Sequence, residues 1–170
     1  MLPIFDNREF ALFLSSVQEE TEFSGPYYFS NNSYSKKLTA ELKSPSVESF
    51  IRASTKGNSV KCLAMYLKLT NACQTLDDVS KVNTQVPKIA LVTLVNESTC
   101  TLQELAENVQ NAGYSVLIYF AASYAIATVK NSKNEVLIPV AIEDMADEPT
   151  DFADSWLSNA DLPKYVELSA

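Results

Sequence analysis

The stretch KIALVTLVNESTCTLQELAENVQNAGYSVLIYF, residues 88–120, decides the fold of this chain. Its first eight residues are rich in Ile, Leu and Val and include a single charge, which is typical of a strand covered on both faces. A polar loop follows at 96–100, and a second apolar run occupies residues 114–120. Because two parallel strands need a crossover connection, which is usually a helix, this order predicts a strand, helix, strand unit and an α/β fold.

The segment between the two apolar runs has the signals of an amphipathic helix. Thr101 and Glu104 form the T-x-x-E pattern of a capping box, in which both side chains satisfy amide groups at a helix start. Glycine is the residue type that most often ends a helix in the left-handed conformation, and Gly113 follows the apolar pattern directly. The apolar face recurs at three- and four-residue steps and consists of Leu102, Leu105, Ala106, Val109 and Ala112.

Upstream of this unit, three shorter segments have recognisable patterns. Residues 9–14 are an apolar run that is too short for periodicity to separate strand from helix, and we interpret it as a strand. Residues 46–52 favour a helical turn. Residues 60–69, with the sequence VKCLAMYLKL, have the apolar density of a buried strand that ends at the Asn71-Ala72-Cys73 loop.

The flanking segments downstream are more polar. Residues 74–87 are interpreted as a surface connection. The run at 136–142 contains Pro139, which cannot donate a ladder hydrogen bond, so we expect an edge strand or one that pairs only after the proline. Residues 143–170 are interpreted as an acidic tail that ends in a weakly amphipathic stretch around Trp156 and Leu157. In total, the 170 residues suit a single domain, 1–170, with a sizeable core.

The bulk composition excludes several function classes. Thirteen Lys and Arg against 21 Asp and Glu give a net charge of −8, which repels phosphate, so nucleic acid is not an expected partner. The chain contains no histidine, which removes the commonest general base, the histidine-dependent triads and most zinc sites. No window approaches the roughly 20 apolar residues that span a bilayer. We therefore expect a chain without catalytic residues.

Cysteines and glycines set limits on cofactor chemistry. Cys62, Cys73 and Cys100 have no C-x-x-C spacing, cannot build a four-ligand metal site alone, and favour one pair plus one left over. The three glycines do not cluster, so no phosphate-binding loop is present. The acidic residues at 143–154 lack the spacing of a calcium loop. We expect no cofactor and no metal.

The sequence offers two kinds of surface feature. Asn31 and Asn96 begin N-x-S/T sequons in polar stretches, where a glycan could be accommodated. Tyr27, Tyr28 and Tyr34 lie in an aromatic segment punctuated by Gly-Pro. Two interpretations of these tyrosines stay open: they close the edge of the core, or they form an exposed ligand surface.

The order of these elements resembles that of the protease-associated domain. The family runs from an apolar strand through a cysteine loop to a helix that ends in Gln-x-Ala-Gly, and then through a second apolar strand to Ile-Pro-Val. The counterparts in this chain are 89–95, Cys100-Thr101-Leu102, Gln110–Gly113, 115–120 and Ile138-Pro139-Val140. The resemblance covers about 73–145 clearly, whereas the N-terminal part and the acidic tail match only loosely.

The resemblance implies a fold of mixed β-sheets, as an open barrel or sandwich, flanked by short helices. It also implies a disulfide between Cys73 and Cys100, because Asn71-Ala72-Cys73 is similar to the Ala-Cys turn whose cysteine bonds to the one before the helix; Cys62 remains a competing partner. The chain departs from the family where Arg-Gly before that cysteine is replaced by Glu97-Ser98-Thr99.

The resemblance further implies a non-catalytic recognition role outside the cytosol, at the cell surface, in endosomes or in the ER. The family context that fits this chain best is the ectodomain of a single-span, membrane-anchored RING ubiquitin ligase, which binds a protein ligand or substrate. Alternatives are an insert that modulates substrate access in a peptidase, the lumenal domain of a sorting receptor, and, from another class, a small cytosolic α/β enzyme. A homodimer also remains open.

Overall fold

The strand and helix pattern is present in the computed structural model, which describes residues 8–15, 23–30, 42–55, 59–94, 100–121, 136–144 and 164–169. The strands are β1 (Arg8–Ser15), β2 (Phe23–Ser30), β3 (Ser59–Leu69), β4 (Lys88–Leu94), β5 (Val116–Ala121), β6 (Val140–Asp144) and β7 (Lys164–Ser169). The helices are α1 (Val47–Thr55) and α2 (Leu102–Asn111).

The described strands form one mixed sheet in the order β2-β1-β7-β3-β4-β5-β6. Strands β3, β4, β5 and β6 pair in parallel, whereas β7 pairs antiparallel with both β3 and β1, and β1 pairs antiparallel with β2. The predicted mixed α/β fold is thereby confirmed. The resemblance implies several sheets in an open barrel or sandwich, whereas the described strands form one sheet, because β7 connects the N-terminal hairpin to the parallel strands.

Strand β4 is covered on both faces, as its unbroken apolar run predicts. Ile89 and Leu91 belong to the core that contains α1, while Ala90 and Val92 belong to the core that contains α2. Successive side chains of a strand point to opposite faces, so one run of apolar residues supplies two cores. The sheet is therefore a central layer between α1 and α2, and β4 with β5 forms the predicted strand, helix, strand unit.

Helix α1 begins after Ser46, whose hydroxyl accepts a hydrogen bond from the amide of Ser49 at 3.0 Å. Val47 and Ile51, four residues apart, are buried against the sheet. The expected helical turn at 46–52 is thus a helix that extends to Thr55.

Helix α2 has the predicted start and end. Thr101 accepts from the amide of Glu104 at 3.2 Å, and the Glu104 carboxylate accepts from the amide of Thr101 at 3.4 Å, which completes the capping box. At the other end, the amide of Gly113 bonds the carbonyl of Gln110 and the amide of Tyr114 bonds the carbonyl of Val109, the two bonds of a Schellman motif.

The end of the expected acidic tail, 143–170, is a strand in the structure, whereas the weakly amphipathic stretch around Trp156 and Leu157 lies outside the described residues. Residues Lys164–Ser169 form β7 in the interior of the sheet, with Val166 and Leu168 buried. This correction has a physical reason: the alternating pattern is only five or six residues long, and its partners β1 and β3 are more than 90 residues away in sequence. By contrast, β6 begins at Val140 and lies at the end of the strand order, as Pro139 predicts.

Gly113 is the position where the fold is least tolerant of a side chain. Its φ is +102°, and a Cβ there would lie 2.8 Å from the Ser80 amide nitrogen and 2.9 Å from the Ser80 Cα. We predict that Gly113→Ala lowers the free energy of unfolding by about 2 kcal/mol or more, because it adds both backbone strain and a clash with backbone atoms. Chemical denaturation measures this loss.

The matched control is Asn111→Ala, two residues earlier on the exposed side of α2. It should change the free energy of unfolding by no more than about 0.5 kcal/mol. Equal effects of the two substitutions would contradict the role assigned to Gly113.

Candidate functional site

A disulfide joins Cys73, in the turn after β3, to Cys100, immediately before the N-cap of α2. The two Cα atoms are 5.9 Å apart, and 27 residues separate the cysteines in sequence. Cys73 is exposed and Cys100 is half-buried. Cys62, the competing partner, is instead a buried free thiol in β3, and burial raises the pKa of this thiol to about 12.

The turn that carries Cys73 is held by its own side chains. The Asn71 carboxamide oxygen accepts from the amide of Cys73 at 3.0 Å, in the manner of an Asx turn. The Gln74 carboxamide oxygen accepts from both the amide and the hydroxyl of Thr70, at 3.0 and 2.9 Å. Ala72 is completely buried between them. The cysteine is therefore presented by a turn that has a defined geometry of its own.

The segment after this turn follows α2 along its length. The Asn108 side chain donates to the carbonyl of Gln74, and the amide of Val79 donates to the carbonyl of Ala112 at 2.8 Å. The last of these contacts is the close approach of Ser80 to Gly113, just beyond the end of α2. The disulfide thus marks the first of several contacts that run from one end of the helix to the other.

Gln110 fixes the segment before β6 to the last turn of α2. Its carboxamide oxygen accepts from the amide of Leu137 at 2.6 Å and from the amide of Ile138 at 3.3 Å. The carbonyl of Pro139 then accepts from Leu117 at 3.0 Å, where β6 joins β5. The glutamine of the Gln-x-Ala-Gly sequence therefore orients the Ile-Pro-Val segment, a contact that the sequence pattern alone did not identify.

The flank of α2 and the segment beside it are acidic. Asp77, Asp78, Glu104 and Glu107 are exposed or half-buried, and no Lys or Arg occurs among residues 70–80 or 100–113. Hydrogen bonds from the Ser80 side chain and amide lower the pKa of the Asp78 carboxyl. Two apolar side chains near the C-terminal end of α2 are exposed, Val82 at 43% and Leu137 at 63%. This part of the surface thus mixes carboxylates with a few apolar groups.

The residues predicted to contact a ligand lie elsewhere. Tyr27 and Tyr28 belong to β2, which is at the end of the strand order opposite to β6 and pairs with β1. Tyr34 and the two sequon residues, Asn31 and Asn96, lie outside the described residues. The structure therefore brings Cys73 and Cys100 together but leaves the predicted ligand surface and the glycan sites as predictions.

Among the described residues, one group of three possible metal ligands lies close together. The sulfurs of Cys73 and Cys100 and a carboxylate oxygen of Glu104 all lie within 4.8 Å of one another. While the two sulfurs are bonded to each other, neither is a thiolate, so the oxidised cluster lacks the ligands that a zinc ion requires. Sequence reasoning treated Glu104 only as a capping residue, and its position beside Cys73 follows from the disulfide.

Similarity to known proteins is found among solved structures. No protein-family model and no curated protein matches the chain. Among solved structures, it is similar to a psychrophilic subtilisin-like protease from Pseudoalteromonas sp. AS-11, with 10% identity and a TM-score of 0.43. The similarity covers 96% of this chain and 33% of the protease, so this chain spans about a third of that structure's length.

The disulfide bears on the location of the chain. A disulfide indicates an oxidising environment, which is found outside the cell and in the secretory lumen. Neither helix in the described part of the chain is long and apolar enough to cross a membrane.

Replacing Gln110 tests the link between α2 and β6. We predict that Gln110→Ala lowers the free energy of unfolding by about 1–3 kcal/mol, because the amides of Leu137 and Ile138 lose their acceptor. The matched control Gln110→Glu keeps an acceptor oxygen and should retain most of that stability. Denaturation measures both variants, and hydrogen exchange at Leu137 and Ile138 should accelerate only in the alanine variant.

The buried thiol of Cys62 predicts a specific loss of stability at alkaline pH. Its pKa rises from 9.0 to about 12 on folding. Below pH 9 the thiol is therefore protonated in both the folded and the unfolded state, and its contribution to the free energy of unfolding is fully present. Between pH 9 and about 12 the unfolded chain releases this proton while the folded chain retains it, and stability falls. Cys62→Ala should flatten the pH dependence of the free energy of unfolding in that window. If Cys62→Ala left the slope of the free energy of unfolding against pH unchanged, the raised pKa of Cys62 would be contradicted.

Proposed function

We propose that this chain is a protein-recognition domain that works outside the cytosol and resembles the protease-associated domains. The observation that carries the proposal is the pair of links at the two ends of α2, namely the Cys73–Cys100 disulfide and the hydrogen bonds from the segment before β6 to Gln110. These links join the cysteine turn, the helix end and the Ile-Pro-Val segment, which are the pieces on which the resemblance rests.

The chemistry of the chain favours recognition over catalysis. With no histidine in 170 residues, a general base near neutral pH would have to be a strongly perturbed carboxylate, lysine or cysteine. The free cysteine, Cys62, is buried and its pKa is raised to about 12, which suppresses the thiolate that a nucleophile needs. A domain of this kind acts through its surface, so a protein is the partner that we propose.

Tyr27, Tyr28 and Tyr34 are the proposed ligand-binding residues. Tyrosine is enriched at protein interfaces because its ring supplies contact area while its hydroxyl supplies a hydrogen bond. Strand β2, which contains the first two, lies at one end of the strand order. A terminal strand has a single neighbour in the sheet, so this position is compatible with access from a partner.

We further propose that the parent protein is a single-span RING ubiquitin ligase and that this chain is its ectodomain. In that arrangement the domain binds a protein ligand or substrate in the lumen or outside the cell, and the RING part transfers ubiquitin in the cytosol. The support for this step is the family resemblance, together with the disulfide as a sign of an oxidising environment. The parent gene tests it: we expect a membrane span and then a Cys/His-rich RING pattern downstream, whereas a peptidase domain would contradict it.

Cell-surface binding tests the recognition role. The chain, expressed through the secretory pathway and labelled, should bind cells in a saturable manner, and the triple variant Tyr27→Ala, Tyr28→Ala, Tyr34→Ala should lose at least about tenfold in affinity, as expected when a cluster of aromatic anchors is removed. Flow cytometry over a concentration series measures the change.

The matched control is Leu137→Ser, which removes an exposed apolar side chain beside the opposite end of the sheet. It should bind like the unmodified chain. Non-saturable binding, or equal losses in the control and the tyrosine variant, would contradict the proposed surface. Residence of the chain in the cytosol with Cys73 and Cys100 reduced would contradict the proposed compartment.

A further inference from the structure

Three segments of the chain bring sulfur and carboxylate groups to one point. Cys73 comes from the turn after β3, Cys100 from the residue before the N-cap, and Glu104 from the first turn of α2, and their ligand atoms all lie within 4.8 Å of one another. Cys73 Sγ is 3.3 Å from Glu104 Oε2. Because a disulfide sulfur carries no proton, this distance is a van der Waals contact in the oxidised chain rather than a hydrogen bond.

We propose that reduction of the Cys73–Cys100 disulfide converts this cluster into a binding site for a thiophilic divalent cation such as zinc. The three protein ligands are the thiolates of Cys73 and Cys100 and the carboxylate of Glu104, and the fourth position is open to water or to a group from a partner. Thiolate and carboxylate are established zinc ligands, and a site with three protein ligands leaves one position for exchange. This inference does not depend on the proposed function.

The reduction requires an external thiol reductant and balances as follows. Two thiols of a glutathione-type or dithiol reductant supply two electrons and two protons, the sulfur–sulfur bond of the protein breaks, and the reductant becomes a disulfide. When the divalent cation binds, the two cysteine thiols release their protons to solvent and become thiolates. The protein thus exchanges one covalent bond for two metal–sulfur bonds and one metal–oxygen bond.

The distances within the cluster are suitable for replacing the disulfide with bonds to a zinc ion. Zinc–sulfur bonds of about 2.3 Å and zinc–oxygen bonds of about 2.0–2.2 Å place the ligands of a tetrahedral site about 3.5–4 Å apart. The three ligand atoms already lie within 4.8 Å, so the sulfurs have only to separate after reduction. The Cα separation of 5.9 Å sets no obstacle, because the side chains can rotate while the backbone remains in place.

The backbone on both sides of the disulfide is held by contacts that do not involve sulfur. The Asn71 and Gln74 side chains fix the turn around Cys73, and the hydrogen bond from the Glu104 amide to the Thr101 hydroxyl fixes the start of α2. The hydrogen bond from Asn108 to the Gln74 carbonyl keeps the turn beside the helix. Reduction therefore leaves the three ligands close together, which lowers the entropic cost of collecting them around an ion.

The same cluster is accessible from solvent. Cys73 is exposed, and Cys100 and Glu104 are half-buried, so both a reductant and a hydrated cation can reach it. Cys62 is completely buried in β3 and belongs to a core on the face of the sheet that packs against α1. Helix α2 and its disulfide lie on the other face, so Cys62 serves as an internal control.

Cadmium binding to the full 170-residue chain tests the proposal, because cadmium–thiolate bonds give ultraviolet charge-transfer absorbance. The chain is reduced, the reductant is removed without oxygen, and Cd²⁺ is added stepwise, followed by competition with Zn²⁺. We expect one equivalent of Cd²⁺ per reduced chain, displacement by Zn²⁺, and no such absorbance with the oxidised chain. Glu104→Gln should weaken binding at least about tenfold, by comparison with the cost of disturbing groups around a metal site.

Matched variants test whether a change in cadmium affinity is specific to the three proposed ligands. Glu107→Gln removes a carboxylate one turn further along α2, and Cys62→Ala removes the buried thiol; both should leave cadmium affinity unchanged. Cys73→Ser should abolish the charge-transfer absorbance. Circular dichroism follows the fold of the reduced chain, and the melting temperature should rise when the cation is added.

Several outcomes would overturn the proposal. A reduced chain that remains folded and shows no charge-transfer absorbance lacks the site. A reduced chain that unfolds and is not restored by Cd²⁺ or Zn²⁺ shows that the ion does not replace the disulfide. Equal weakening by Glu104→Gln and Glu107→Gln removes Glu104 from the ligand set.

Discussion

The position of helix α2 on the sheet is the constraint on which the rest of this fold depends. The helix has ten residues, about 15 Å, and helices of this length are marginal in water without tertiary contacts. Its apolar face is buried against β4, β5 and β6, and the disulfide at its start and the Gly113–Ser80 approach at its end fix where it lies. In the chain-entropy model, closing a loop between residues 27 apart contributes about 3–4 kcal/mol of stability.

This anchoring explains why polar segments on either side of α2 have defined paths. Residues 74–80 contain few apolar side chains, yet backbone and side-chain hydrogen bonds hold them along the helix. The segment before β6 is similarly placed by Gln110, so β6 can enter the sheet immediately after Pro139. Helix α2 therefore positions both residues 74–80 and the segment before β6.

Local patterns predicted the parts of the fold that local physics determines. Thr101, Glu104 and Gly113 identified the ends of α2, and the apolar run at 89–95 identified the doubly covered strand, because capping and periodicity act over a few residues. Strand β7 was missed because its place is set by β1 and β3, which are distant in sequence. The contact from Gln110 to Leu137 escaped sequence reasoning for the same reason, and the Cys73–Cys100 pairing was reached only through a family resemblance.

The cluster of Cys73, Cys100 and Glu104 at the start of α2 can hold the helix in two alternative ways, as a disulfide or as the proposed ion site. As a disulfide it fixes the helix covalently, which suits the recognition domain that we propose for an oxidising compartment. As a dithiol it retains the same ligands in the same backbone frame, so an ion could supply the restraint that the covalent bond no longer gives. Glu104 takes part in both restraints: its backbone amide donates to the Thr101 hydroxyl in a bond that involves no sulfur, and its carboxylate lies beside the sulfur of Cys73. The redox state of the surroundings would then determine which restraint holds α2.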